Sequence, residues 1–128
     1  METIIAKKGP AAIGPYSHAA AVNGVVFTSG QIPLLAETGE IITGGIKEQT
    51  EQAILNLKEV LSAAGSDIEH VVKTTCFLTD MGDFTAFNEV YSGHFTGKPA
   101  RSCVAVLALP KGALVEIEAI AEIVAPAQ

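Results

Sequence analysis

From Ile46 to Ala64 the apolar positions are Ile46, Ala53, Ile54, Leu57, Val60, Leu61 and Ala64. This spacing predicts one apolar stripe on a helix. Lys47, Glu48, Glu51, Gln52, Lys58 and Glu59 take the opposite side. Gly65 follows as the expected stop, because glycine adopts a left-handed backbone at little cost. A second stripe runs through Phe84, Phe87, Val90, Tyr91 and Phe95, with Asp83 placed to cap it. Asn88 lies one turn after Phe84, at the edge of that stripe. It is either a boundary residue or a group aimed into a site.

The remaining apolar runs read as strands. Two short runs flank Asn23-Gly24 between Ala19 and Ser29, and Asn-Gly is a strong hairpin signal. Ile4 to Ala6 is a further short strand. Gln31 to Gly45 reads as a loop, with Pro33, Gly39, Gly44 and Gly45. His70 to Thr79, rich in Val and Thr, predicts a strand. Ser102 to Leu109 predicts another, ended by Pro110 with a turn at Lys111-Gly112. Leu114 to Val124 alternates: Val115, Ile117, Ala119, Ala121 and Ile123 share one face, and Glu116, Glu118, Ile120 and Glu122 share the other. The expected architecture is α+β, a mixed β-sheet with two helices packed on one face. The uncovered face is mixed in polarity, which suits burial against other copies of the chain.

Composition narrows the class. The 128 residues suit a single domain, residues 1–128. Apolar residues make up 48% and charged residues 17%, which supports a real core and argues against disorder. The net charge is −6, and Lys7-Lys8 is the one adjacent basic pair. Nucleic-acid binding needs clustered Lys and Arg, so this balance disfavours it. No apolar run approaches the roughly 18 residues of a membrane span. The start, Met1-Glu2-Thr3-Ile4-Ile5, does not read as a secretory signal. Cys76 and Cys103 read as free thiols in a reducing cytosol, so the expected location is cytoplasmic.

Arg101 is the sole arginine and sits where a loop turns into a strand. Its planar fork grips a carboxylate with two parallel hydrogen bonds, which lysine cannot do. A small-carboxylate site and a structural ion pair are both open at this point. Cys103 follows on the same strand face and is either a site-lining thiol or a nucleophile. The spacing of His18, His70 and His94 matches no ordinary metal motif, and no metal is expected. His70 and His94 read as surface or boundary residues.

Ile13-Gly14-Pro15-Tyr16-Ser17, Ser29-Gly30-Gln31-Ile32-Pro33, Phe87-Asn88-Glu89-Val90-Tyr91, Pro99-Ala100-Arg101-Ser102-Cys103-Val104 and Val115-Glu116-Ile117-Glu118 together resemble the RidA family, also called YjgF. The resemblance covers essentially the whole chain, and Arg-Ser-Cys is its most specific part. It implies a chorismate-mutase-like homotrimer with three clefts between subunits. It implies hydrolysis of 2-iminobutanoate and 2-iminopropanoate, released as enamines by pyridoxal-phosphate dehydratases, to 2-oxo acids and ammonia. No cofactor is implied. Arg101 would bind the substrate carboxylate, Glu116 would hold or deprotonate a water, and Tyr16 would hydrogen-bond substrate or water. Asn88, Ser29, and the backbone near Gly30 and Cys103 would complete the cradle. His18 departs from the family, where Gln is more usual after Tyr-Ser. It either tunes substrate choice or pH response, or does neither.

Other readings stand beside the deaminase. A ligand-binding or regulatory trimer would sense 2-oxo acids in the same clefts without turnover. Relatives have been labelled translation inhibitors or endoribonucleases, which the acidic charge disfavours. A redox-activated holdase is the weakest reading.

Overall fold

The computed structural model describes residues 1–126. The elements run β1 (Glu2–Ile4), β2 (Ala19–Val22), β3 (Val25–Thr28), α1 (Ile46–Ala63), β4 (Val71–Leu78), α2 (Phe84–His94), β5 (Ala100–Ala105) and β6 (Val115–Glu122). Short 3-10 turns lie at Ile68–His70, Met81–Asp83 and Pro110–Gly112.

The strands form one mixed sheet in the order β1-β2-β3-β6-β4-β5. Neighbours are antiparallel except β4 and β5, which are parallel. A tight turn cannot join parallel neighbours, so α2 carries the chain back between them. Both helices cover one face. There Ile54, Leu57 and Leu61 of α1 and Phe87 of α2 join Val26, Val115 and Ile117 in the buried core. The alternation in β6 follows the expected split: Val115, Ile117, Ala119 and Ala121 are buried, while Glu116, Glu118 and Ile120 are only half-buried. The uncovered face also shows Phe27 and Val104 to solvent.

The β2–β3 hairpin turns at Asn23 and Gly24, with φ of 51° and 77°. Two positive angles in succession are what a type I′ turn needs, and Asn-Gly tolerates them. Helix α1 ends at Ala63, with Gly65 at φ 83° just beyond its cap.

Several strand boundaries and one helix cap differ from expectation. β1 is Glu2–Ile4 rather than Ile4–Ala6. The Ala6 N–H goes to His18 Nδ1 (2.8 Å) and leaves the ladder there. β4 begins at Val71, because His70 belongs to a 3-10 turn closed on Asp67. β5 ends at Ala105 rather than Leu109. Its partner β4 stops at Leu78, whose carbonyl takes a last bond from Val106 N–H (2.8 Å), and Leu107 beyond is fully exposed. Asp83 occupies the start of α2 without a side-chain cap bond, since the preceding turn already gives it helical angles. Asp80 does the capping instead, accepting from Gly82 N–H at 2.8 Å.

Candidate functional site

Arg101 stands on β5 in register with Thr74 of β4, so its side chain rises on the helix-covered face. There it meets α2. Its Nη1 donates to Asn88 Oδ1 at 2.7 Å. Its guanidinium carbon lies 4.8 Å from the ring centre of Tyr91, 5.5 Å from Phe84 and 5.8 Å from Phe87. The helical spacing of Phe84, Phe87, Asn88 and Tyr91 is what gathers them on one side. Among the described residues no carboxylate forms an ion pair with Arg101; the ion pairs join Lys47 to Glu89, His70 to Asp67 and His94 to Glu51. The structural ion pair considered for Arg101 is therefore not what holds it. A stacked, half-buried guanidinium keeps its charge and most of its donors.

Glu116 stands on β6, on the uncovered face. Between the pairs Phe27–Ile120 and Gln31–Ile117 the register changes by one residue, so the chain bulges at Thr28 to Gly30. Thr28 Oγ1 fills part of the gap by accepting from Ala119 N–H at 3.0 Å. The bulge brings the Gly30 α-carbon against the Glu116 side chain. A Cβ at Gly30 would overlap Glu116 Oε2 and lie 2.6 Å from its Cδ. Gly30 has no positive φ, so close approach alone requires glycine here. Burial pushes the Glu116 pKa upward, and the nearby Glu118 carboxylate adds to the shift.

Ser29 Oγ donates to the Ser17 carbonyl at 2.7 Å, and Ser29 N–H donates to the His18 carbonyl at 2.8 Å. These bonds tie the Gly14–Ser17 loop, with Tyr16, to the strand end that carries Gly30. Tyr16 is 52% exposed, and its hydroxyl has no hydrogen bond among the described residues. His18 is buried; its Nδ1 takes the Ala6 N–H and its Nε2 donates to the Pro10 carbonyl at 2.8 Å. It clamps the segment between β1 and the Tyr16 loop.

One chain thus divides the candidate residues into two groups. Tyr16, Ser29, Gly30 and Glu116 gather around the bulge. Arg101, Asn88 and Cys103 gather at the β5 edge beneath α2. The β4 registers place Arg101 beside Thr74 and Ala119, and Glu116 beside Phe77, on opposite faces of the sheet.

Cys103 is half-buried beside Cys76, in register across β4 and β5. Burial raises its pKa, with Arg101 opposing, and burial pushes the Cys76 thiol up to about 12. Neither thiol is poised as a thiolate. The sequence reading missed that Phe84, Phe87 and Tyr91 surround Arg101. The signal was the α2 stripe itself, but a stripe does not say which side chain it will pack against. The role of Glu118 beside Glu116 was also missed.

The family model described as Endoribonuclease L-PSP matches residues 6–123. The mouse 2-iminobutanoate/2-iminopropanoate deaminase is 50% identical over 127 residues, covering 94% of each chain. RidA from the Antarctic bacterium Psychrobacter superposes with a TM-score of 0.91 at 44% identity, covering 96% of this chain and 100% of its own. E. coli TdcF with bound serine superposes with a TM-score of 0.90 at 41% identity, covering 95% and 98%.

Proposed function

The chain belongs to the RidA/YjgF family, whose model is described as Endoribonuclease L-PSP, and on that premise we propose that it is a 2-iminobutanoate/2-iminopropanoate deaminase. The observation that carries this reading is Arg101, a guanidinium held by rings and an amide with no carboxylate partner among the described residues. Such a fork is ready for the carboxylate of a small 2-imino acid. Two relatives add support: the mouse protein named for this activity, and TdcF, seen with serine, itself a small carboxylate.

The chemistry needs no covalent nucleophile. The protonated imine carbon is electrophilic. Glu116, its pKa raised by burial, takes a proton from water as the oxygen adds to that carbon. Glu116 returns that proton to the carbinolamine nitrogen, and ammonia leaves as the hydroxyl proton passes back to Glu116, giving the 2-oxo acid. Tyr16 and the backbone near Gly30 orient the water or the substrate's polar end. Alignment by Arg101 supplies part of the barrier lowering.

Arg101 and Glu116 lie two strands apart and are offset by three residues along β4, roughly 14 Å between their backbones, and they stand on opposite faces of the sheet. A cleft that uses both takes Arg101 from one copy and Glu116 from another. A homotrimer packed through the half-apolar uncovered face meets that need.

The family model's description favours RNA cleavage as a second reading. Against it stand the net charge of −6 and the single adjacent basic pair, Lys7-Lys8. In the test, a threonine dehydratase generates 2-iminobutanoate, semicarbazide traps it, and this protein competes with the trap. Wild type should lower semicarbazone formation, and Arg101→Ala and Glu116→Ala should not. A wild type that binds 2-oxobutanoate without turnover would make the clefts sensors. Salt-sensitive RNA cleavage would favour the second reading.

A further inference from the structure

The surroundings of Arg101 hold its guanidinium in place without neutralising it. A guanidinium carries donors only, so the Asn88 amide must turn its oxygen to Nη1, at 2.7 Å, whichever way the amide is drawn. An amide oxygen orients the fork and leaves its positive charge intact. The neighbouring acid on α2, Glu89, is drawn off to Lys47 at 2.8 Å.

The ring under the guanidinium is itself fixed. Tyr91 stacks on Phe95 with centroids 4.2 Å apart and 21° between planes. Its hydroxyl shares a 2.7 Å hydrogen bond with Thr74 Oγ1, and both residues are buried. Thr74 is the β4 residue in register with Arg101. One side of the fork is therefore floored by a ring that β4 and α2 both hold, and one edge is fixed by Asn88.

We propose that Asn88 is the positioning residue of the carboxylate anchor: its amide oxygen holds the Arg101 guanidinium in place over the Tyr91 ring, while its neutrality leaves the charge free for the ligand. This rests on the reading of Arg101 as the carboxylate anchor. A fork already oriented loses little freedom when ligand arrives. An aspartate at position 88 would orient it equally well but would form an ion pair and compete with the ligand.

Because the chain has one arginine, its guanidinium signals in a ¹⁵N-edited NMR spectrum need no assignment. In the free wild-type protein, cooled, the Nη protons should resolve as restrained, inequivalent signals. Asn88→Ala should collapse them to one averaged signal and weaken 2-oxobutanoate binding by roughly tenfold. Alanine favours the helix, so this variant should fold. Asn88→Asp should keep the signals restrained yet weaken 2-oxobutanoate at least as far, with neutral 2-oxobutanamide weakened much less. A merely structural role would weaken both ligands together. Unaltered Arg101 signals in Asn88→Ala, or a wild-type preference for acid over amide in Asn88→Asp, overturns the proposal. Restrained signals that Asn88→Ala frees, in a protein that binds no 2-oxo acid, uphold the positioning of Arg101 and overturn the anchor reading.

Discussion

The carboxylate of Glu116 lies against the α-carbon of Gly30, so closely that a methyl group there would overlap Oε2. The bulge between β3 and β6 makes this approach, and it places the candidate base beside the Gly30 backbone.

Gly30→Ala should therefore displace Glu116. We expect kcat to fall by about 10²-fold and stability by about 1–3 kcal/mol. Glu116→Ala removes the overlapping group, so the Gly30→Ala/Glu116→Ala double variant should be more stable than the sum of the singles. Chemical denaturation of all four proteins measures the coupling. Strict additivity would mean that the two side chains do not compete for space.

Glu116 must be ionised to take a proton. Burial, and then Glu118, raise its pKa, so kcat should fall on acidification at a higher pH than an ordinary carboxylate would give. Glu118→Gln removes the smaller cause and should move this acid limb partway toward lower pH. A pH–rate profile that Glu118→Gln leaves in place would assign the limb to another group.

The same shift bears on stability. Unfolding lowers the Glu116 pKa to its ordinary value, so the folded chain holds its proton more tightly. Ionised Glu116 costs stability fully above the raised folded pKa, and the cost vanishes below the unfolded value. Glu116→Gln should raise Tm near neutral pH, abolish turnover, and leave Tm unchanged in strong acid. Scanning calorimetry at the two pH values checks this.

Arg101→Ala and Glu116→Ala chains are each expected to be inactive. Refolded together at equal amounts, they should regain activity, because about a quarter of the clefts would draw both intact residues from different copies. No recovery in verified mixed oligomers would place both residues in a cleft of one chain.

Cys103→Ser should keep most of the turnover, since burial raises the thiol pKa and the chemistry does not need sulfur. A loss of about 10²-fold or more in the semicarbazide assay would point to covalent catalysis.

Local patterns in the sequence determined most of the elements. The Ile46–Ala64 stripe and Gly65 marked α1, Asn23-Gly24 marked the hairpin, and the alternation from Val115 marked the two faces of β6. Each depends on neighbours two to four positions away, which a sequence displays directly. Strand ends were less legible, because they depend on where a partner stops, as Leu78 does for β5. The site was decided by tertiary structure. β6 inserts between β3 and β4, which brings Glu116 to Gly30 across most of the chain. The registers of β5 and β6 on β4 set which way each strand's side chains face, and so send Arg101 to α2 and Glu116 to the uncovered side. A one-residue slip in either pairing would reverse a face, and nothing local to Arg101 or Glu116 specifies that register.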